Sequence, residues 1–488
     1  MPCSPPSSSQ NQASQNPKSV SSLPTVAVIG GGLAGLASAC ALASSGYRVT
    51  LFERRPFLGG RASSYEHPGT GEVVDNCQHV LFGCCTNLIA FYRTIGIEDK
   101  IRWFDRMTFI EPGGRQSILE PGALPAPLHV MPSFLRFKFL NAKDKFALAR
   151  ALASLALTSP EDDGTSFQDW LARHHQTPAA IERFWKPILV SALSEDLDRI
   201  SIPYAAQVVR ETSKSRNART MGVPTAPLTE LYNSARDYIV SHGGEVRLRT
   251  GVQSFQPGDK GVRMRLQDSE EEFSFAVLAV PFDSLSKLLP ALPESNEISE
   301  KLSHFETSPI TGVHFWFDRQ ISDLPHAVLL DRTIQWMFHK SLLLCSRPSE
   351  RKPDNPSYVE LVISSSKSLI NKSRQEIIDL ALAELREFFP AARDAQLLKA
   401  TVIKEVNATF SPKPGIDQFR PSQQTAWPRV YLAGDWTATG WPATMEGAVR
   451  SGYLAAEAIT KNSGNAKAFV VPDLPPRGLM RLSPNKTR

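Results

Sequence analysis

The chain has 488 residues, 42% hydrophobic and 21% charged, with a formal net charge of +5. That length suffices for a large core divided into two or three domains, and so slight and scattered a charge excludes a nucleic-acid binder. Six cysteines (Cys3, Cys40, Cys77, Cys84, Cys85 and Cys345) form no CxxC pair and no metal-ligand spacing, so they read as reduced thiols of a cytoplasmic protein without a metal site.

Residues 1–24 are rich in Ser, Pro and Gln with no apolar stretch, which predicts a disordered tail rather than a secretory signal. No window holds the roughly eighteen apolar residues of a spanning helix. Behind the tail stands "VAVIGGGLAGLASACALASSGYRVTLFERR", residues 26–55. Its strand, Gly-rich turn, Ala-rich helix, second strand and Glu53 are the parts of a dinucleotide site in register. Gly30 makes the tight turn, Gly32 admits a pyrophosphate to the backbone, and Gly35 packs helix against strand. The helix N-terminus supplies free N–H groups and positive dipole to the phosphates. Glu53 ends the second strand, where a carboxylate accepts from a ribose 2′-OH; an acid there argues against a 2′-phosphate and so against NADP. Arg54 follows directly, and Gly59-Gly60-Arg61 sets a basic side chain beyond a flexible turn, either on the pyrophosphate or solvated at the surface.

Residues 115–145 interleave Ile, Leu, Val, Met and Phe with Arg136, Lys138, Lys143 and Lys145. The pattern fits a segment dipping into a lipid surface, with Phe134, Phe137 and Phe139 as its apolar side chains, or equally a lid on the protein's own core. Helical stretches follow between residues 146 and 235, then strands in "GGEVRLRTGVQSFQ", "GVRMRLQD" and "FSFAVLAVP". "SPITGVHFWF" and "SYVELVIS" predict strands of another sheet, and "SRQEIIDLALAELREFF" a helix. "RVYLAGDWTATGWPATMEGAVRSGYLAAEAI" returns to strand, loop and helix. A nucleotide-binding unit thus takes residues 25–100, 231–285 and 425–462. Residues 101–230 are mainly helical, 286–424 form a sheet with helices, and 463–488 form a flexible tail.

The last segment, with Gly434-Asp435 ending a strand and Met445-Glu446-Gly447 opening a helix, resembles the flavin-dependent amine oxidase and phytoene desaturase superfamily. The resemblance implies an α/β, Rossmann-like FAD-binding domain of the glutathione-reductase type with an inserted α+β substrate domain. It also implies non-covalent FAD, Asp435 on the ribityl chain, and the helix at Met445 aimed at the flavin N1–O2 edge, where charge gathers on reduction. Val252 matches the position whose backbone holds the adenine. Amine oxidases of this superfamily carry a lysine where Thr311 stands and a tyrosine where Thr444 stands.

"DNCQHVLFGCCTN" resembles the isoprenoid desaturases, although Cys77 replaces their usual glycine. Together with "FWKPILVSAL" and "GDWTATGWPATMEGAVRSG" it is similar to hydroxysqualene dehydroxylases. That narrower likeness implies reductive removal of an allylic hydroxyl from a hydrophobic C30 isoprenoid. It requires an electron donor that the sequence does not name, and peripheral contact with the inner face of the cytoplasmic membrane. His79 is the candidate catalytic proton donor or a structural histidine, and Trp185, Trp316, Trp336 or Trp441 candidates to steady a developing cation. Two other readings stand beside it: a carotenoid or phytoene-type desaturase running oxidatively, and a non-catalytic prenyl-binding protein on the same fold.

Overall fold

The computed structural model describes residues 23–158, 160–345 and 355–482. Most of the N-terminal tail predicted for residues 1–24 lies outside them. Five short parallel strands form the first sheet, in the order Glu245–Arg247, Arg48–Phe52, Thr25–Ile29, Phe275–Leu278, Val430–Leu432. The central strands are almost wholly buried and their sequences run apolar rather than alternating, as a sheet covered on both faces requires. On one face the helices Leu33–Ala43 and Met445–Asn462 cross closely. Gly452 permits the crossing, since a Cβ there would stand 2.2 Å from the Ala34 carbonyl oxygen. Three segments distant in sequence thus build one nucleotide-binding sheet.

The second sheet has seven strands, in the order Leu397–Phe410, Thr307–Phe317, Ser357–Ser364, Trp336–Phe338, His326–Leu329, Met107–Ile110, Gln116–Leu119. Side chains alternate across it. Val313, Phe315, Phe317 and Leu361 point to one face and pack beneath the helix Arg374–Phe388 through Ile377 and Leu385. That helix starts where Ser373 and Glu376 cap each other's backbone N–H groups. The opposite face carries Gly312, His314, Glu360, Trp336 and Phe338. There Trp336, Phe338 and Val362 join the large core built with the helices Ala142–Leu157, Phe167–Arg173, Lys186–Leu193 and Ile202–Ser213.

The mainly helical region 101–230 also supplies two strands, Met107–Ile110 and Gln116–Leu119, which close one edge of the seven-stranded sheet. Two expectations need correction. Phe134, Phe137 and Phe139 are buried and packed on one another and on Phe109 and Phe184, so they belong to the core rather than to a lipid surface. The stretch after 463 is no loose tail as far as Leu482. Proline keeps it extended, Phe469 and Val470 pack on the nucleotide domain, the Val471 N–H donates to Asn87 Oδ1 (2.8 Å), and Met480 is buried. Residues 483–488 fall outside the described residues. Among the described residues, no helix is long and apolar enough to cross a membrane.

Candidate active site

The glycine turn is as tight as its spacing predicts. Gly30 has φ +108°, and a Cβ there would stand 2.4 Å from the Ala279 carbonyl oxygen. A Cβ at Gly35 would stand 1.9 Å from the Gly30 oxygen, which is the helix–strand contact that only glycine allows. Gly32 is different: nothing lies closer to its absent Cβ than Gly60 Cα at 3.9 Å, which leaves room above the turn for a ligand. Gly32 is also the N-cap of the helix and offers no side-chain acceptor, and the first turn has no acidic residue. Its N–H groups therefore point at an open position suited to an anion.

Glu53 is buried, and its carboxylate closes the turn itself. Oε2 accepts from the Gly31 N–H and Oε1 from the Arg55 N–H, both at 2.7 Å. The acid expected to receive a ribose hydroxyl thus also braces the phosphate loop, and each oxygen keeps a lone pair for a hydroxyl. The Thr250 N–H donates to the Glu53 carbonyl (2.9 Å), which brings half-buried Val252 beside the same strand end. Arg54 is exposed at the rim. Gly60 lies over Gly32, where its own Cβ would come 3.0 Å from Gly32 Cα.

Arg61 and Asp435, expected to serve different parts of the ligand, meet each other. Arg61 Nη2 lies 2.6 Å from Asp435 Oδ1, and Nη1 donates to the Ala408 carbonyl (2.8 Å). The pair joins the glycine loop to the last strand of the nucleotide sheet and to the longest strand of the second sheet. Before Asp435, Gly434 takes φ +153°; a side chain there would strike the Trp436 ring, which donates to Val280. Beneath this turn sits Arg420, which the sequence did not flag. It is buried and donates to the carbonyls of Asp435 (2.9 Å) and Thr437 (2.5 Å), to Thr439 Oγ1 (3.1 Å) and to Tyr204 (2.6 Å). The helix at Met445 follows. Its N-cap Thr444 accepts from the Gly447 N–H (3.1 Å), and buried Glu446 accepts from the N–H groups of Asn87 and Leu88. Met445 Sδ rests on the hydroxyls of Tyr92 and Tyr232.

The loop Asp75–His79 crosses from this domain onto the inward face of the seven-stranded sheet. Cys77 takes φ +62°, the left-handed conformation that glycine adopts more readily, and a Cβ on Gly312 would lie 3.2 Å from its Sγ. His79 Nδ1 donates to the Cys77 carbonyl at 2.9 Å. Burial pushes its pKa below the usual range and outweighs that bond and Asp75, while Arg61 and Lys340 lower it further. The ring is neutral near pH 7 with Nδ1 protonated, so Nε2 is an acceptor. With its one N–H held by the Cys77 carbonyl, His79 offers an acceptor at Nε2 rather than the free N–H expected from its register.

Four further groups around this loop were not anticipated. Lys340 is 2% exposed, and its Nζ lies 2.6 Å from Asp75 Oδ2, 2.8 Å from Gln78 Oε1 and 3.6 Å from Glu360 Oε2. Burial pushes Asp75 up and Lys340 down, but their mutual attraction outweighs it, so both stay charged. For Glu360 burial wins over the ammonium and, with Asp75 adding to it, pushes the carboxyl up to about 8. His314 is held down to about 3 by burial and then by Lys340; its Nδ1 lies 2.8 Å from the Tyr358 hydroxyl. Thr311, by contrast, is on the other side of its strand and bonds Ser366 (2.8 Å), so the residue facing the loop is Gly312. The buried lysine comes from Lys340, far along the chain, where no spacing pointed to it.

Of the candidate tryptophans, Trp336 lies on the inward sheet face, stacked on Phe338 with its Nε1 donating to Ser191 (2.7 Å). Trp185 is enclosed by Phe167 and Phe184, Trp316 stacks on Tyr358, and Trp441 sits under Arg450. Among the described residues no cluster of His, Cys, Asp and Glu is arranged to hold a metal.

A family model described as flavin containing amine oxidoreductase matches residues 33–460. The 15-cis-phytoene desaturase of Synechococcus elongatus is 28% identical over 455 residues, covering 89% of this chain and 95% of that one. The zeta-carotene desaturase of Synechocystis is 26% identical over 91% of this chain and 99% of its own length. Among solved structures, an oxidoreductase from Methanosarcina mazei superposes with a TM-score of 0.70 at 16% identity, covering 90% of this chain and all of that one, a likeness of fold. The cofactor is FAD, and the residues fit it. The open position at Gly32 and the uncapped helix would take the pyrophosphate, Glu53 the ribose, and Asp435 with the turn above Arg420 the ribityl side.

Proposed function

The chain belongs to the flavin containing amine oxidoreductase family, and from that premise we propose that it desaturates a long isoprenoid hydrocarbon of the phytoene class. The observation that carries this reading is the His79 ring, with Nδ1–H committed to the Cys77 carbonyl and Nε2 left as an acceptor. Introducing a double bond removes a hydride and a proton from neighbouring carbons. FAD, when bound, takes the hydride. The protein must supply a base for the proton, an apolar place for the chain and a seal against water. His79 Nε2 is that base, and burial keeps it unprotonated near neutral pH. Trp336, Phe338 and Val362 give the inward sheet face its apolar lining. The two relatives, named as phytoene and zeta-carotene desaturases, support the same direction of reaction.

The reductive reading, hydroxysqualene to squalene, needs a donor at the departing oxygen. His79 has its one N–H engaged, which weighs against it. The non-catalytic prenyl-binding reading is weakened by a cradle complete in glycines, Glu53 and Asp435. We also propose that the substrate enters from a membrane surface, past a rim where Leu124, Leu128, Leu135 and Phe146 are exposed beside Arg136, Lys138 and Lys143. The rim replaces the phenylalanines first expected there.

The test is a product assay. FAD-loaded protein in liposomes with 15-cis-phytoene and a quinone acceptor should form a more unsaturated product. His79→Ala should slow that step by about 10²–10⁴-fold. Formation of squalene from hydroxysqualene by the reduced protein, with phytoene untouched, would replace this reading by the reductive one.

A further inference from the structure

The loop that carries His79 is held by a buried lysine from the other domain. Lys340 opens the short helix Lys340–Leu343, directly after the strand Trp336–Phe338. Its ammonium has three hydrogens and three oxygens around it, from Asp75 and Gln78 on the loop and Glu360 on the neighbouring strand. Because Gln78 Oε1 accepts from Lys340, its amide nitrogen turns the other way and donates to the His79 carbonyl at 3.0 Å. At the next step His79 Nδ1 donates to the Cys77 carbonyl, and Cys77 rests on Gly312. Asn76 ties the same loop to the Arg61 carbonyl (3.1 Å) and Glu405 (2.8 Å).

A buried ion group of this kind is a poor source of stability, since apolar residues of similar volume do as well or better. Its value lies in fixing an arrangement. We propose that Lys340 is a positioning residue: by orienting the Gln78 amide it fixes the His79 backbone and ring so that Nε2, not Nδ1, is the free nitrogen. Lys340 need not touch substrate or cofactor for this. The assignment rests on the reading of His79 as the base, and it adds the residue that sets which nitrogen does the work.

The experiment is histidine-selective 15N NMR on the FAD-loaded protein, with the His79 signals identified by their loss in His79→Gln. The native ring should give one tautomer, protonated at Nδ1. Lys340→Gln should give a mixture of tautomers, with kcat lowered about 10- to 100-fold, as for a misaligned catalytic group, and KM little changed. Should Lys340→Gln fail to fold, Gln78→Leu leaves the Lys340–Asp75 pair in place and removes only the relay; it should shift the same signals. Unaltered His79 signals in the variants that fold would overturn the proposal. Shifted signals in a protein that does not desaturate phytoene would instead leave Lys340 in its role and remove the desaturase reading.

Discussion

The two faces of the seven-stranded sheet are made by the same strands and serve different ends. Along Thr307–Phe317 the odd positions Val313, Phe315 and Phe317 enter a wholly apolar core under the helix Arg374–Phe388. The even positions Gly312 and His314 meet Cys77, Tyr358 and, across the sheet, Glu360. One face is a packing surface, where volume and shape set the energy. The other buries charge at a cost in solvation that packing does not return. Under the proposed function one face holds the fold and the other does the chemistry, and substitutions on the two faces should fail in different ways.

The largest effect belongs to the packing face. Phe315→Ala removes a fully buried ring and should lower unfolding free energy by about 3–5 kcal/mol, read by thermal or urea unfolding. FAD content per folded molecule should stay the same. Loss of FAD from a still-folded variant would show that the faces are not separate. On the nucleotide side, Glu53→Ala removes the acceptor of two backbone N–H groups and should weaken FAD retention by about 1–3 kcal/mol, measured by equilibrium dialysis.

The inward face should show itself through pH. The Glu360 carboxyl is raised to about 8 in the folded protein, so the folded state holds its proton more tightly than the unfolded chain does. Its contribution is therefore intact below the ordinary carboxylate range and is lost as pH rises towards 8. Glu360→Gln abolishes that loss. Its melting temperature should match the native protein near pH 4.5 and exceed it increasingly up to about pH 8. Parallel curves across that window would mean that Glu360 is charged throughout.

The smallest effect expected is at the rim. Leu135→Ser with Phe146→Ser, both exposed, should lower liposome binding a few-fold without changing FAD content. Phe137→Ser, which places a hydroxyl where a buried ring packs in the core, should destabilise the fold instead. Equal liposome binding by the rim variant would remove the membrane proposal.

The nucleotide domain was legible because its signals are local. A glycine turn, its helix and Glu53 lie within thirty residues, and each has one geometric reason to be there. Gly434, Asp435 and Met445 were legible as a second local motif. The charged cluster of the inward face was not. Lys340 and Asp75 are 265 residues apart and meet, with Glu360, only where the loop after Asp75 packs on the seven-stranded sheet, which no periodicity reveals. His79 was found by its register, but the hydrogen bond to the carbonyl two residues before it, which leaves Nε2 as an acceptor, was not legible. Basic residues between phenylalanines suggested a lipid face in 115–145, whereas the alternation there follows burial, with Phe134, Phe137 and Phe139 inside and Arg136 and Lys138 outside. Arg420 had no motif at all; it is recognisable only from the carbonyls that converge on it.

Anaerobic mixing of the yellow, FAD-loaded protein with 15-cis-phytoene in liposomes, with no acceptor present, tests most directly whether the buried polar face serves an oxidation. The oxidised-flavin absorbance should bleach in a single turnover, and His79→Ala should bleach about 10²–10⁴-fold more slowly. Flavin that stays yellow with phytoene-loaded liposomes, while chemically reduced protein is reoxidised by hydroxysqualene, would contradict an oxidative role.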